Sequence, residues 1–218
     1  MPLTHLFARL LNPVVWRSER HAGRRFWRFA HAEAASRLDL FAAANATPDP
    51  ERAALYLRHA LDEGRHAQMF ALAASRRRDD LPPVRADDDR LFERLGETGF
   101  LAFVHHGESR GCAQFEAYSA WFAHRDVRTA ALFDAVLVDE RRHRSYTREL
   151  LVALTGEKAA SRAVRSAAAW EAWRMWRRAG SAIAQLAFVG LLLPLYAILA
   201  PLAIAIRWIR PARSGWTA

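Results

Sequence analysis

Two short segments of the chain, DEGRH and DERRH, repeat one arrangement of titratable side chains. Each places a glutamate three residues before a histidine: Glu63 before His66, and Glu140 before His143. On an α-helix, side chains at positions i and i+3 lie on one face with their Cβ atoms about 5–6 Å apart. A carboxylate and an imidazole at that separation can bind the same metal ion, so each segment predicts half of a metal site.

A partner carboxylate for the first pair is predicted from its height along the preceding helix. The breaker NATPDP predicts a short turn that ends near residue 50. Glu33 lies before this turn and Glu63 lies after it, and both are about 20 Å from it along their helices at 1.5 Å per residue. Asp39 is about 9 Å closer to the turn and misses that level.

The second pair has a matching carboxylate in Glu108. This residue lies about 24 Å before a predicted turn, and Glu140 lies about 21 Å after the same turn. Glu116 is only about 12 Å from the turn and misses the level.

Buried carboxylates need counter-ions, because an unpaired buried charge is very costly. Two divalent ions would supply them, and carboxylate with imidazole ligands favours iron, with manganese as the alternative, over zinc. The predicted ligands are Glu33, Glu63, His66, Glu108, Glu140 and His143.

An aspartate directly precedes the glutamate in both segments, as Asp62 and Asp139. One residue along a helix turns a side chain by about 100°, which points each aspartate away from its own glutamate and towards the partner helix. Metal-bound histidines usually donate their second N–H to a carboxylate. We therefore predict a crossed pairing, with Asp62 against His143 and Asp139 against His66.

The apolar residues recur with helical periodicity almost throughout the chain, and no segment alternates apolar and polar residues as a strand would. The elements that position these side chains are therefore predicted to be helices. Four long helices are predicted, with a short loop between the first two, a long Pro- and Gly-marked connection in the middle, and a short loop again. That pattern predicts an all-α four-helix bundle with a long crossover between its second and third helices, over residues 24–156. The four helices span about 24–45, 50–78, 100–124 and 126–154.

The flanking segments differ in composition from the bundle. Residues 1–23 are amphipathic, and either cap the bundle or contact a membrane. An amphipathic helix rich in Trp and Arg follows at 157–180, then an apolar segment at 181–206 and a basic tail at 207–218. The stretch between Arg178 and Arg207 carries no charge, and it is longer than the ~20 helical residues that cross a bilayer. The segment is predicted to span the membrane or to dip into one leaflet.

The overall charge of +9 indicates an anionic partner. The arginines cluster beside tryptophans, which is typical of a membrane interface, so membrane lipids are expected and nucleic acid is not. Cys112 is the single cysteine, which excludes an internal disulfide. No signal-peptide pattern is present at the start. The predicted location is the cytoplasmic membrane, with the metal-binding domain on the cytoplasmic side.

The quoted motifs resemble those of the ferritin-like di-iron carboxylate superfamily over about residues 24–154. DERRHRSYT is similar to the helix of acyl-carrier-protein desaturases that carries D-E-x-R-H before a Tyr-Thr pair. An Asp before each Glu is also found in bacterial multicomponent monooxygenases, where it lies behind the metal ligands. The compact size, the spacing near 30 and the membrane segment resemble demethoxyubiquinone hydroxylases.

The resemblance implies a ferritin-like bundle with two irons, O2 as co-substrate and an external electron donor. It implies an oxygenase or oxidase that acts on a lipophilic substrate such as a lipid, an acyl chain or a quinone. Two alternatives stay open: a membrane-tethered ferroxidase or iron-binding protein, and a rubrerythrin-like peroxidase. Small residues near the predicted ligands, among them Gly107, Gly111 and Cys112, either leave room for O2 and substrate or allow close helix packing. The oligomeric state is left open.

Overall fold

The structure, a computed structural model, describes residues 3–86 and 89–209, which contain six helices and no strand. The chain is therefore all-α over the described residues, as the sequence predicts. In chain order the helices are α1 Leu3–Val15, α2 Glu19–Ala46, α3 Pro50–Ser75, α4 Leu91–Phe122, α5 Val127–Thr155 and α6 Glu157–Ile209.

Local capping residues explain where three of the long helices begin. Ser18 caps α2, and Asp49 caps α3 by accepting a hydrogen bond from the Arg52 amide at 2.9 Å. Asp126 caps α5 in the same way. A side-chain oxygen at this position satisfies one of the amides that a helix start leaves without a partner.

The start of α4 is the largest departure from the predicted helix bounds. The helix begins at residue 91, not 100, and continues through a kink at Gly96, where φ is +66°. Its first turn has no local side-chain cap. Instead, the amide of Leu91 donates to the carboxylate of Asp39 on α2, at 3.1 Å. The crossover is therefore shorter than predicted, because a cap supplied by another helix extends α4 backwards.

The four long helices pack in two hairpins, α2 with α3 and α4 with α5, and α2–α4 and α3–α5 contacts join the hairpins. Short loops at 47–49 and 123–126 make the helices of each hairpin antiparallel. α1 packs on α4, where the buried Asn12 amide donates to the Ala117 carbonyl at 3.1 Å.

Two aromatic layers fill the space between these helices. In one layer, ring centroids lie 5.5–6.2 Å apart, and its members are Phe26, Phe70, Phe115 and Phe133. In the other layer, Tyr56, Phe92 and Phe100 have centroids 5.4–6.3 Å apart. Fully burying one such ring contributes about 1.5–3 kcal/mol. On α3 and α4, which contribute to both layers, the predicted ligands lie between the two layers along the helix.

The chain divides into two units, residues 1–168 and 169–218. Within the second unit, the described part is helical and exposes large apolar side chains, such as Leu186 and Leu191. By length and composition, the helix over Glu157–Ala205 could cross a membrane. Most of the predicted basic tail, residues 210–218, lies outside the described residues.

Candidate metal centre

The structure brings all six predicted ligands together in the interior, from four different helices. Their ligand atoms form two groups, and within each group the atoms lie within 4.8 Å of one another. Glu63 belongs to both groups and so connects them. The first group contains His59, Glu63, Glu108 and His143, and the second contains Glu33, Glu63, His66 and Glu140.

The cluster is shielded from water on most sides. Glu63 and His143 are each 1% exposed, His66 is fully buried and Glu140 is 3% exposed. Glu33 is the least buried member, at the intermediate level. Charged groups this deep in an apolar interior are stable only with a compensating charge or hydrogen bonds.

Three buried atoms of the cluster have no hydrogen-bond partner: Oε2 of Glu63, Nδ1 of His66 and Nδ1 of His143. The two histidine nitrogens lie near ligand oxygens without forming a hydrogen bond. Nδ1 of His66 is 3.5 Å from Oε1 of Glu140, and Nδ1 of His143 is 3.5 Å from Oε1 of Glu63. Two ligands of one ion, each about 2.1 Å from it, are about 3.0–3.6 Å apart. The buried His and Glu groups therefore fit a bound metal ion.

The carboxylates affect one another's protonation. Burial, followed by the neighbouring carboxylates, raises the pKa of Glu63 and of Glu140 well above the ordinary value. Burial alone would also raise the pKa of Glu108, but the hydrogen bond and charge of His59 outweigh it and lower that pKa to about 2. Without a metal ion, the cluster therefore holds protons to limit repulsion between like charges.

The two histidines contact the aspartates that the crossed pairing predicts. Nε2 of His143 is 3.2 Å from Oδ2 of Asp62, and Nε2 of His66 is 3.1 Å from Oδ2 of Asp139. With Nε2 held by a carboxylate, each ring directs Nδ1 into the cluster. This is the arrangement that fixes the tautomer of a metal-binding histidine.

Two arginines complete a ring of charges behind these histidines. Arg65 contacts Asp62 at 2.9 Å and Asp139 at 2.5 Å, and Arg142 contacts the same two carboxylates at 2.6 and 2.7 Å. Burial alone would raise the pKa of both aspartates, but hydrogen bonds from the histidines and arginines lower it. The side chains of both arginines are about half exposed. Their role in joining α3 to α5 was not predicted.

His59 is the functional candidate that the sequence analysis missed. Its Nε2 is 2.8 Å from Oε1 of Glu63 and 3.4 Å from Oε1 of Glu108, and the side chain is buried. His59, Glu63 and His66 stand at positions i, i+4 and i+7, which is one continuous helix face. That spacing was visible in the sequence. The repeat does not point to His59, because the second half of the chain has Val136 at the equivalent position.

The two carboxylates that the sequence excluded by their distance from the turn, Asp39 and Glu116, lie outside the cluster. Glu116 is half-buried and pairs with Arg141 at 2.9 Å, while Asp39 caps α4. Cys112 is buried, and burial raises the pKa of its thiol to about 11. A buried, protonated thiol packs as a small apolar side chain, and neither ligand group among the described residues includes Cys112.

Gly111 lies directly against one ligand. A Cβ atom at this position would be 3.0 Å from Oε2 of Glu140, whereas one at Gly107 would meet nothing within 4 Å. Any side chain at residue 111 would displace the Glu140 carboxylate. Gly111 therefore leaves room for a ligand, a role that differs from the two that the sequence suggested.

Comparison of the chain with models of protein families, with curated proteins and with solved structures finds no match. The resemblance to the ferritin-like superfamily therefore rests on the residues quoted above. The structure itself supplies an all-α arrangement and buried His and Glu groups that can bind metal.

Proposed function

We propose that this chain is a membrane-associated di-iron oxidoreductase with a ferritin-like bundle, which uses O2 to oxidise or hydroxylate a lipophilic substrate. One observation carries the proposal. Two groups of buried His and Glu ligands share Glu63, and three of their atoms are buried without a hydrogen-bond partner. Leaving such atoms unsatisfied costs about 1–3 kcal/mol each. A pair of cations would satisfy all three.

The chemistry of the ligands supports iron, with manganese as the second choice. Carboxylate oxygens and imidazole nitrogens, without a thiolate, suit both ions. Four carboxylates balance two divalent ions in charge. Iron in such a centre supplies O2 activation, and hydroxylation with O2 needs two further electrons from an external donor.

The protein's own residues would prepare the site for this reaction. Asp62 and Asp139 hold His143 and His66 in the orientation that turns Nδ1 inwards. The aromatic layers on both sides exclude water, which strengthens every electrostatic interaction in the site. Glu63 joins the two ligand groups and would keep the two ions close together.

The lipophilic class of substrate is inferred from two apolar surfaces. The described part of the second unit is a long apolar helix with exposed Leu, Ile and Phe side chains. An exposed apolar surface of this extent indicates contact with lipid or with another protein. On α1, the buried Ala8 and Asn12 face the bundle, and five apolar residues on the outer face are 48–65% exposed: Leu6, Phe7, Leu10, Leu11 and Val14. No acidic side chain precedes Glu19 in the sequence, which suits an anionic membrane surface.

Iron handling is the second candidate, supported by the position of Glu33. This carboxylate is the least buried ligand, so an ion could reach it from solvent. A membrane-tethered ferroxidase or iron-binding protein would need such an entry point. The only acidic run of the sequence, at 87–89, lies mostly outside the described residues.

The test starts with metal analysis of detergent-purified protein from iron-supplied cells, beside the variants Glu140→Ala and Glu116→Ala. We expect about two irons per chain in the parent and in Glu116→Ala, and a clear loss in Glu140→Ala. Metal near zero in the parent under these conditions would refute the proposal.

O2 consumption by the reduced protein then separates the two candidates. An oxygenase should consume O2 faster when a membrane lipid extract is added, and an oxidised lipid should appear in mass spectra of the extract. A ferroxidase should consume O2 in proportion to added Fe(II) and show no response to lipid.

A further inference from the structure

We infer that His59 is a seventh metal ligand, and that the two metal positions are therefore chemically unequal. One position would have His59 and His143 with Glu63 and Glu108, and we call it the nitrogen-rich position. The other would have His66 with Glu33, Glu63 and Glu140, and we call it the carboxylate-rich position. The inference rests on the proposed dimetal centre and adds a ligand to it.

The first argument is that the three buried histidines have the same arrangement of contacts. In each ring, one nitrogen contacts a partner outside the cluster and the other faces ligand oxygens. For His143 and His66 the outer partners are aspartates. For His59 the outer partner is the hydroxyl of Tyr146, 2.6 Å from Nδ1. If Nδ1–H donates to this hydroxyl, Nε2 keeps its lone pair for a metal ion.

The second argument is the position of the His59 ring among the other ligands. Its Nε2 faces Glu63 and Glu108, the two carboxylates that also lie nearest Nδ1 of His143. The rings of His59 and His143 are stacked, with centroids 3.6 Å apart. Both rings thus present one nitrogen to the same pair of carboxylates, as two ligands of one ion would.

A competing arrangement makes His59 a hydrogen-bond donor only. In that arrangement Nε2 carries the proton and donates to Glu63, and Tyr146 donates to Nδ1. This satisfies His59 itself, but it leaves His143 as the single imidazole ligand beside Glu63 and Glu108. Nε2 of His59 is closer to these two carboxylates, at 2.8 and 3.4 Å, than Nδ1 of His143 is, at 3.5 and 3.8 Å. If His59 is a ligand, all three histidines follow one rule: the outer nitrogen donates to a polar partner and the inner nitrogen binds a metal ion.

The unequal positions predict unequal metal preferences. Two imidazoles and two carboxylates suit iron or cobalt, whereas one imidazole and three carboxylates suit manganese. A first-row metal mixture should therefore distribute unevenly between the positions.

The experiment counts bound imidazoles directly. The full chain in detergent micelles is loaded with Co(II), and the far-shifted exchangeable N–H signals are recorded by proton NMR, since each Co(II)-bound histidine contributes one such signal. We expect three signals in the parent and two in His59→Val, which copies the residue at position 136. His124→Val removes an exposed imidazole and should keep all three signals.

Two further variants keep the test decisive. His59→Gln retains a donor to Glu63, so it should restore Co(II) binding only if His59 is merely a donor. If His59 is a ligand, the His59→Gln variant should bind Co(II) at the nitrogen-rich position at least about tenfold more weakly than the parent. Tyr146→Phe should keep three signals but shift one of them. Circular dichroism will show whether His59→Val retains its helical content. If it does not, Tyr146→Phe provides the test in its place.

The outcomes separate the inference from the proposed function. Two bound Co(II) ions with only two shifted signals in the parent, or full restoration by His59→Gln, would overturn the inference alone. No Co(II) uptake by the parent would overturn the dimetal centre and the inference together.

Discussion

The two halves of the bundle, α2 with α3 and α4 with α5, carry the same D-E-x-R-H segment but differ at the two positions that supply His59 and its hydrogen-bond partner. When the two segments are aligned, Glu63 and His66 fall on Glu140 and His143. The same alignment places His59 on Val136, and Met69 on Tyr146. One half thus supplies a histidine and the other supplies the tyrosine that holds it, while the equivalent positions are apolar.

The residues that the two halves share therefore have a different role from the residues that occur in one half only. The paired Asp and Arg residues are present in both halves, and together they form one ring that orients both repeated histidines. The His59–Tyr146 pair occurs once. In the proposed centre, the repeat would supply two ion positions, and one additional polar pair would make these positions unequal.

The largest effect is expected for Glu63, because it belongs to both ligand groups. Glu63→Ala should reduce bound iron from about two ions per chain to near zero. Glu33→Ala should spare the nitrogen-rich position and retain about one ion. Elemental analysis per chain gives both numbers. Equal retention of metal by the two variants would show that Glu63 does not connect the positions.

The aspartates should act on opposite ends of the centre. Asp62→Asn loosens His143 in the nitrogen-rich position, and Asp139→Asn loosens His66 in the carboxylate-rich one. Loss of such a partner typically lowers metal affinity about 10–100-fold. Stepwise Co(II) titration should show one weakened step in each variant, and a different step in each. Asp134→Asn, an exposed change on α5, is the control.

The contrast between Gly111 and Gly107 tests how tightly Glu140 is placed. Gly111→Ala puts a methyl group 3.0 Å from the carboxylate oxygen, and should weaken metal binding about tenfold. Gly107→Ala meets open space and should leave affinity unchanged. Isothermal titration with Co(II) measures both. Equal affinities would mean that the Glu140 side chain can move aside without loss.

A separate effect concerns the pH dependence of the metal-free protein. Glu63 and Glu140 have raised pKa values, so the folded state keeps protons that the unfolded state releases above about pH 4.3. The free energy of unfolding should therefore fall as pH rises above about 5, by up to about 1.4 kcal/mol per pH unit for each group. Glu108, with its pKa lowered to about 2, has the opposite sign, and its contribution is lost as pH falls from about 4.5.

Chemical unfolding at several pH values provides the measurement. Glu63→Gln and Glu140→Gln remove one titrating group each, so each should flatten the slope between pH 5 and 8. Stability that rises over this range in the metal-free protein would contradict the raised pKa values.

Much of the site could be predicted from the sequence because its geometry is local to single helices. A Glu and a His three residues apart must share a face, and distance from a turn sets the height of Glu33 and Glu108. The same rotation along a helix directed Asp62 and Asp139 to the opposite histidines. The all-α class followed from periodicity, and the apolar run after residue 180 followed from composition.

The tertiary structure decided whatever depends on which neighbour a side chain meets. Asp39 caps α4 across the bundle, so neither its role nor the early start of α4 could be derived from α4 alone. Gly111 matters because Glu140 of another helix fills the space beside it. His59 joined the cluster because Glu63, Glu108 and Tyr146, from three helices, surround its ring. Helical spacing specifies a face, and only the packed neighbours determine what that face binds.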